Sequence, residues 1–217
     1  MHHRVFRIMP GRCFGLPVGM LLIGAVCLLG LTACGKGPFS PEARQQEAER
    51  EQYLKTLQAA LAVDDTFEWK RLGSALIVRA LPYDADVKLA AEQRFAGSAS
   101  FQKDVSQWMR PVKNSRGEPT VILMGLFAPD LKENDLTKLD RFRPRLRTAD
   151  GRLLEPVELK RYGRDAVFMR DFFPVFNPWE HVYMVKFAPS SGLSAYYNGQ
   201  LEFVLQWPGG QQSLVLK

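Results

Sequence analysis

Apolar residues along this chain change their period several times, and each change marks an element. From residue 18 to residue 29 they run almost unbroken, through Val18, Met20, Leu21, Leu22, Ile23, Ala25, Val26, Leu28 and Leu29. The run is shorter than the ~20 apolar residues that span a bilayer as a helix. Residues 42–52, EARQQEAEREQ, are polar all round, and only Tyr53, Leu54, Leu57, Ala60 and Leu61 then supply a stripe. Ser40-Pro41-Glu42 reads as a helix start: a hydroxyl cap, a proline in the first turn and an acid near the positive end of the dipole. The pattern predicts an N-terminal helix over 41–66, its first half a solvated spacer and its second half docked. A partner-binding coiled coil would need ~3–4 heptads of apolar repeat, and only about one is present.

After residue 67 the reading is mainly β. SALIVRAL (74–81) is a strand. The segment 83–110 is a helical insertion in two pieces: Val87, Ala91 and Phe95 lie four apart, and Phe101, Val105, Trp108 and Met109 repeat at helical spacing. Gly97-Ser98 separates the pieces, Ser100 is the candidate cap of the second, and Pro111 closes it. TVILMGLF (120–127) is apolar on both faces and is expected at the centre of a sheet. DRFRPRLRT (140–148) alternates, and Thr148-Ala149-Asp150-Gly151 turns the chain into RLLEPVELKRY. DAVFMRDFF (165–173), HVYMVKF (181–187) and QLEFVLQW (200–207) are further strands, and Pro208-Gly209-Gly210 turns the last of these into QSLVLK. Short strands punctuated by turns predict an antiparallel β-sandwich, immunoglobulin-like, over residues 67–217.

The first apolar run follows Arg4, Arg7 and Arg12, with no acid in residues 1–33, and ends at Leu31-Thr32-Ala33-Cys34. A cationic start, a short apolar stretch and small residues before a cut describe a signal peptide. Small residues leading into a cysteine resemble the lipobox of bacterial lipoproteins. The resemblance implies that residues 1–33 are removed, that Cys34 becomes the lipidated first residue, and that 34–40 form a tether. It implies a membrane partner through Cys34. Because Gly35, not aspartate, follows the cysteine, it implies the outer membrane, facing the periplasm. Residues 70–217 are loosely similar to immunoglobulin-like envelope lipoproteins of unknown function, a likeness that names no active site.

Charge is reread once the signal is set aside. The whole chain has 29 Lys and Arg against 23 Asp and Glu, a net +6. Without the three signal arginines it has 26 against the same 23, or +3. Nucleic-acid binding loses its electrostatic support and is not expected. Of the three cysteines, Cys13 and Cys27 precede Cys34, and none follows it. No disulfide or thiol chemistry is therefore expected of residues 35–217.

Candidate chemistry is sparse. His181 is the one histidine after residue 33, so any Ser-His-Asp arrangement would have to use it. Ser190-Ser191-Gly192 and Glu180 do not make such a triad. No zinc set or calcium loop is evident, and no metal or cofactor is expected. Two surface features remain. Arg141, Arg143, Arg145 and Arg147 fall at period two, which puts all four on one side of a strand. Pro144 cannot donate to a ladder and suggests an edge. The row is read as edge protection or as contact with an anionic surface or acidic partner. The segment FFPVFNPWEHVY (172–183) either buries its aromatics between the sheets or offers Phe173, Phe176 and Trp179 to a ligand or partner. The expected function is a non-enzymatic binding or assembly module of the envelope, with an unidentified envelope protein as partner. A lipid- or glycan-binding module is the second reading, and a hydrolase the third.

Overall fold

The computed structural model describes residues 40–68, 73–129, 135–138, 141–148, 150–162, 167–189 and 201–216. The expected signal, tether and Cys34 lie outside them, as do Ser190, Ser191 and Gly192. The chain divides into two units, Met1–Glu47 and Ala48–Lys217. Of the first unit the described part is Ser40 and the opening turns of helix α1 (Pro41–Ala60). There the Ser40 hydroxyl accepts from Ala43 N at 3.1 Å, as the cap reading expected.

The second unit is an antiparallel β-sandwich carrying an N-terminal helix segment and a helical insertion. Strands β1 (Ala62–Glu68), β2 (Gly73–Pro82), β3 (Thr120–Phe127), β6 (Glu158–Tyr162) and β7 (His181–Phe187) make one sheet. Its order is β1-β2-β3-β7-β6. Strands β4 (Arg143–Arg147), β5 (Leu153–Leu154), β8 (Leu201–Trp207) and β9 (Gly210–Leu216) make the second sheet, in the order β5-β4-β8-β9. Every strand pairing is antiparallel.

The five-stranded sheet is covered on both faces. Toward the second sheet it buries Val78, Ile122, Met124, Tyr183, Val185 and Phe187 against Leu146, Phe203, Leu205 and Leu214. On its other face Leu81, Val121, Leu123, Val182 and Met184 meet the helices α2 (Ala85–Phe95), α3 (Ala99–Trp108) and α4 (Val167–Phe172), with Tyr53 and Leu57 of α1. Central β3 therefore needs apolar side chains on both sides, which accounts for the unbroken TVILMGLF run. The helical layer is aromatic: Phe95, Phe101, Phe172 and Phe173 pack ring on ring with Trp108 and Tyr83. The Trp108 indole N–H donates to the Tyr162 hydroxyl, and the Tyr53 hydroxyl donates to the Phe172 carbonyl at 2.6 Å. These bonds satisfy polar tips inside an apolar layer.

Several expectations are corrected. The N-terminal helix stops at Ala60, not residue 66, and β1 begins at Ala62. Val63, Thr66 and Phe67 suit a strand, and the ladder to β2 decides the matter. Residues 167–172 are helical, not a strand. Met169 and Phe172 lie three apart and both reach the helical-layer core, while Phe173 N bonds back to the Met169 carbonyl at 2.8 Å. The cap of α3 is Ser98, not Ser100; its side chain accepts from Phe101 N at 3.3 Å.

Docking of the second half of α1 generates a first prediction. Leu57 is fully buried. Leu57→Ala should destabilise the domain by about 2–5 kcal/mol through the cavity it leaves. Gln46→Ala on the solvated half should change stability by less than about 0.5 kcal/mol. Urea denaturation reads both; equal effects would refute a half-docked helix.

Candidate functional site

The most connected polar cluster among the described residues stands at the start of β7, on the helical face of the five-stranded sheet. Its centre is Glu180, whose side chain is 0% exposed. Arg79 on β2 donates from Nε to Glu180 Oε1 at 2.7 Å, and Asn177 Nδ2 donates to the same oxygen at 3.1 Å. The backbone N–H of Asn177 donates to Oε2 at 3.0 Å. Arg170 on α4 donates from Nη2 to the Glu180 carbonyl at 3.1 Å.

Gly125 makes room for this carboxylate. It lies opposite Arg79 and Val182 in the sheet register. A Cβ there would come within 2.6 Å of Glu180 Oε2 and 2.8 Å of Phe176 Cδ1. The glycine interrupts the apolar face of β3 where a buried acid must lie flat on the sheet. With both carboxylate oxygens occupied, Glu180 works as a brace. It closes the turn Asn177–Glu180, in which Glu180 N bonds to the Asn177 carbonyl at 3.1 Å and Pro178 takes the second position. Trp179 sits on that turn, 58% exposed.

A second cluster lies on the opposite face of the same sheet end. Arg161 Nη2 contacts His181 Nδ1, and Arg161 Nη1 stands 3.7 Å from Asp135 Oδ1. A guanidinium can only donate, so His181 carries its lone pair on Nδ1. Burial first, and the positive charge of Arg161 next, lower the His181 pKa; Asp135 opposes them, and Arg170 adds a lesser lowering. The Thr137 hydroxyl, at 2.6 Å, leads the effects that hold Asp135 below the ordinary value of a carboxyl. Beneath them the Tyr183 hydroxyl accepts from Leu136 N at 3.1 Å.

The sequence-predicted residues are dispersed. Phe173 and Phe176 are buried in the helical-layer core, so neither is a surface contact, and they lie on the helical face of the sheet, not between the sheets. Only Trp179 of that trio reaches solvent. Arg143, Arg145 and Arg147 do share one side of β4, whereas Arg141 precedes the strand in a turn. Arg145 is held by Glu155 at 2.6 Å and Gln206 at 3.2 Å, and Arg147 by Glu202 at 2.5 Å. Arg141 and Arg143 are exposed. The edge reading is half corrected: β8 pairs with all of β4, but β5 covers only Leu146 and Arg147. Pro144 falls on the stretch paired along one side only. Arg79, Gly125, Arg170 and Asn177 escape sequence reading because they are far apart in the chain. An isolated arginine and glycine within two apolar strands were the available signal.

Among the described residues no helix is long and apolar enough to cross a membrane, and no group of three or more His, Cys, Asp or Glu could hold a metal ion. No protein-family model matches the chain, and no curated protein matches it. The chain is similar to a novel protein of unknown function from Burkholderia pseudomallei K96243, known from a crystal structure. The similarity covers 81% of this chain and 86% of that one, at 10% identity and a TM-score of 0.43.

Two predictions follow from the clusters. Arg79→Ala leaves a fully buried carboxylate without its cation, and should cost about 3–5 kcal/mol. Arg147→Ala, at a more exposed pair, should cost about 0–1 kcal/mol. Urea denaturation decides, and comparable small losses would remove Glu180 from its bracing role. The second concerns pH. A histidine whose folded pKa is lowered contributes stability that is present above its unfolded value of about 6.5 and is lost as pH falls below it. His181→Gln should therefore flatten the fall in melting temperature on the acid side of that value, and an unchanged profile would count against the assignment.

Proposed function

We propose that this chain is an envelope lipoprotein, held at a membrane by acylated Cys34, whose domain is a non-enzymatic binding or assembly module. The observation that carries the reading is Leu31-Thr32-Ala33-Cys34 at the end of a cationic and then apolar start. Several buried acyl chains, at roughly 0.8 kcal/mol per methylene, hold a protein stably. Gly35 after the cysteine supports the outer membrane, with the domain facing the periplasm.

The binding reading draws on how the polar groups are used. Glu180 is taken up by Arg79 and Asn177, and His181 by Arg161. Both are spent on architecture, which supports binding over hydrolysis. Exposed features among the described residues include Trp179 on its braced turn and Arg141 and Arg143 at the entry to β4. They suit an envelope protein or an anionic surface as partner. A lipid- or glycan-binding module is the alternative; of Phe173, Phe176 and Trp179 only Trp179 is exposed to serve it.

The anchor is tested by metabolic labelling with a tagged fatty acid. Wild type should carry the label and sediment with membranes. Cys34→Ala should carry none and remain uncleaved or misrouted. Equal labelling of the two chains would overturn the reading.

A further inference from the structure

We propose that the tip formed by residues 174–179, PVFNPW, is a membrane-interface contact that seats the anchored domain on the bilayer. This rests on the lipoprotein reading above. The tip carries no charged residue, and its exposed members are Pro174, Pro178 and Trp179, with Val175 half-buried. An indole half in water has the chemistry of the headgroup region, where an apolar ring and a polar N–H are both satisfied.

Backbone desolvation is the usual obstacle to pushing a loop into an interface. Here much of it is already met. Pro174 and Pro178 have no N–H, Phe176 N bonds to the Phe173 carbonyl at 3.3 Å, and Asn177 N bonds to Glu180 Oε2 at 3.0 Å. Four of the six tip residues therefore bring no unsatisfied donor.

The tip is also held in shape. Glu180, fixed by Arg79 and seated over Gly125, closes the turn from behind, and Arg170 holds its carbonyl. Little ordering remains to be lost on contact. Arg79 is 23% exposed at the base of the turn, where a guanidinium can meet lipid phosphate. One indole would hold an untethered domain poorly. A chain already anchored by lipid meets the bilayer at high effective concentration, so a single contact can set its orientation.

The test uses the full chain, acylated in a bacterial host and reconstituted into vesicles of phosphatidylethanolamine and phosphatidylglycerol brominated near the headgroups. Intact mass reads the acyl groups on Cys34 separately. Wild-type emission should be quenched by the bromines, and the quenched component should be lost in Trp179→Phe. Trp69, Trp108 and Trp207 emit in both chains, so the difference isolates Trp179. If the acylated chain shows the same quenching with and without Trp179, the tip proposal falls while the anchor stands. If Trp179 emission is unquenched in vesicles and shifts only on adding peptidoglycan fragments, or only on adding a purified envelope protein, the tip is a glycan or protein contact and the proposal is overturned. If Cys34 carries no acyl group, both readings fall together.

Discussion

The five-stranded sheet has no solvent face over its centre, and most of the architecture follows from that constraint. β3 buries Ile122, Met124 and Leu126 toward the second sheet, and Val121 and Leu123 toward the helices. β7 does the same with Tyr183, Val185 and Phe187 on one side and Val182 and Met184 on the other. Burying each such side chain contributes roughly 1.5–3 kcal/mol, so two strands organise two cores at once. The helical insertion between β2 and β3, and α4 between β6 and β7, supply the second cover. Without them half of the apolar side chains on those two strands would face water.

One position breaks the apolar rule. Gly125 opens a gap in the helical face of β3, and the carboxylate of Glu180 fills it. A buried charge is tolerated only with a partner and hydrogen bonds. Arg79 stands one strand away in register, and Asn177 adds two donors from the turn itself. The arrangement couples the sheet to the loop it carries: moving the turn would uncover the acid, and moving β2 would remove its cation. Lys186 repeats the device nearer the other end of β7, where a nearly buried ammonium reaches Glu158 and the Gln107 carbonyl, each at 3.5 Å.

Legibility in the sequence tracked how local each signal was. The two-faced run of β3, the alternation of β8 and the helical spacing of α2 and α3 are properties of contiguous residues, and the structure has them where the periods put them. β1 and α4 depart from the expectation because their state is set from outside. The ladder to β2 makes Ala62–Glu68 a strand. The aromatic layer makes Val167–Phe172 a helix, since a short apolar run fits either period until its neighbours choose. The candidate site was hardest to see. Trp179 was visible as an aromatic beside prolines, but whether it or Phe176 was exposed depended on the turn. That turn depends on an arginine 101 residues away from Glu180.

No cysteine follows Cys34 in the sequence, so no disulfide staples residues 35–217, and chain entropy is met chiefly by burial. A sandwich of two sheets has one core, and its outer faces are free to be polar. This domain adds a second core under helices and leaves only the outer face of the four-stranded sheet in that ordinary condition. That face carries Arg147 directly opposite Glu202 and Arg145 reaching diagonally to Gln206, each pair contributing roughly 0.2–1 kcal/mol. Stability thus resides in the two apolar layers, and the charged row adds solubility and register more than energy. The consequence is a division of labour in the chain. The inward-facing positions of strands and helices hold the fold, whereas the tip beyond Phe173 projects Trp179, whose side chain is largely exposed, from a turn tied to that frame through Asn177 and Glu180.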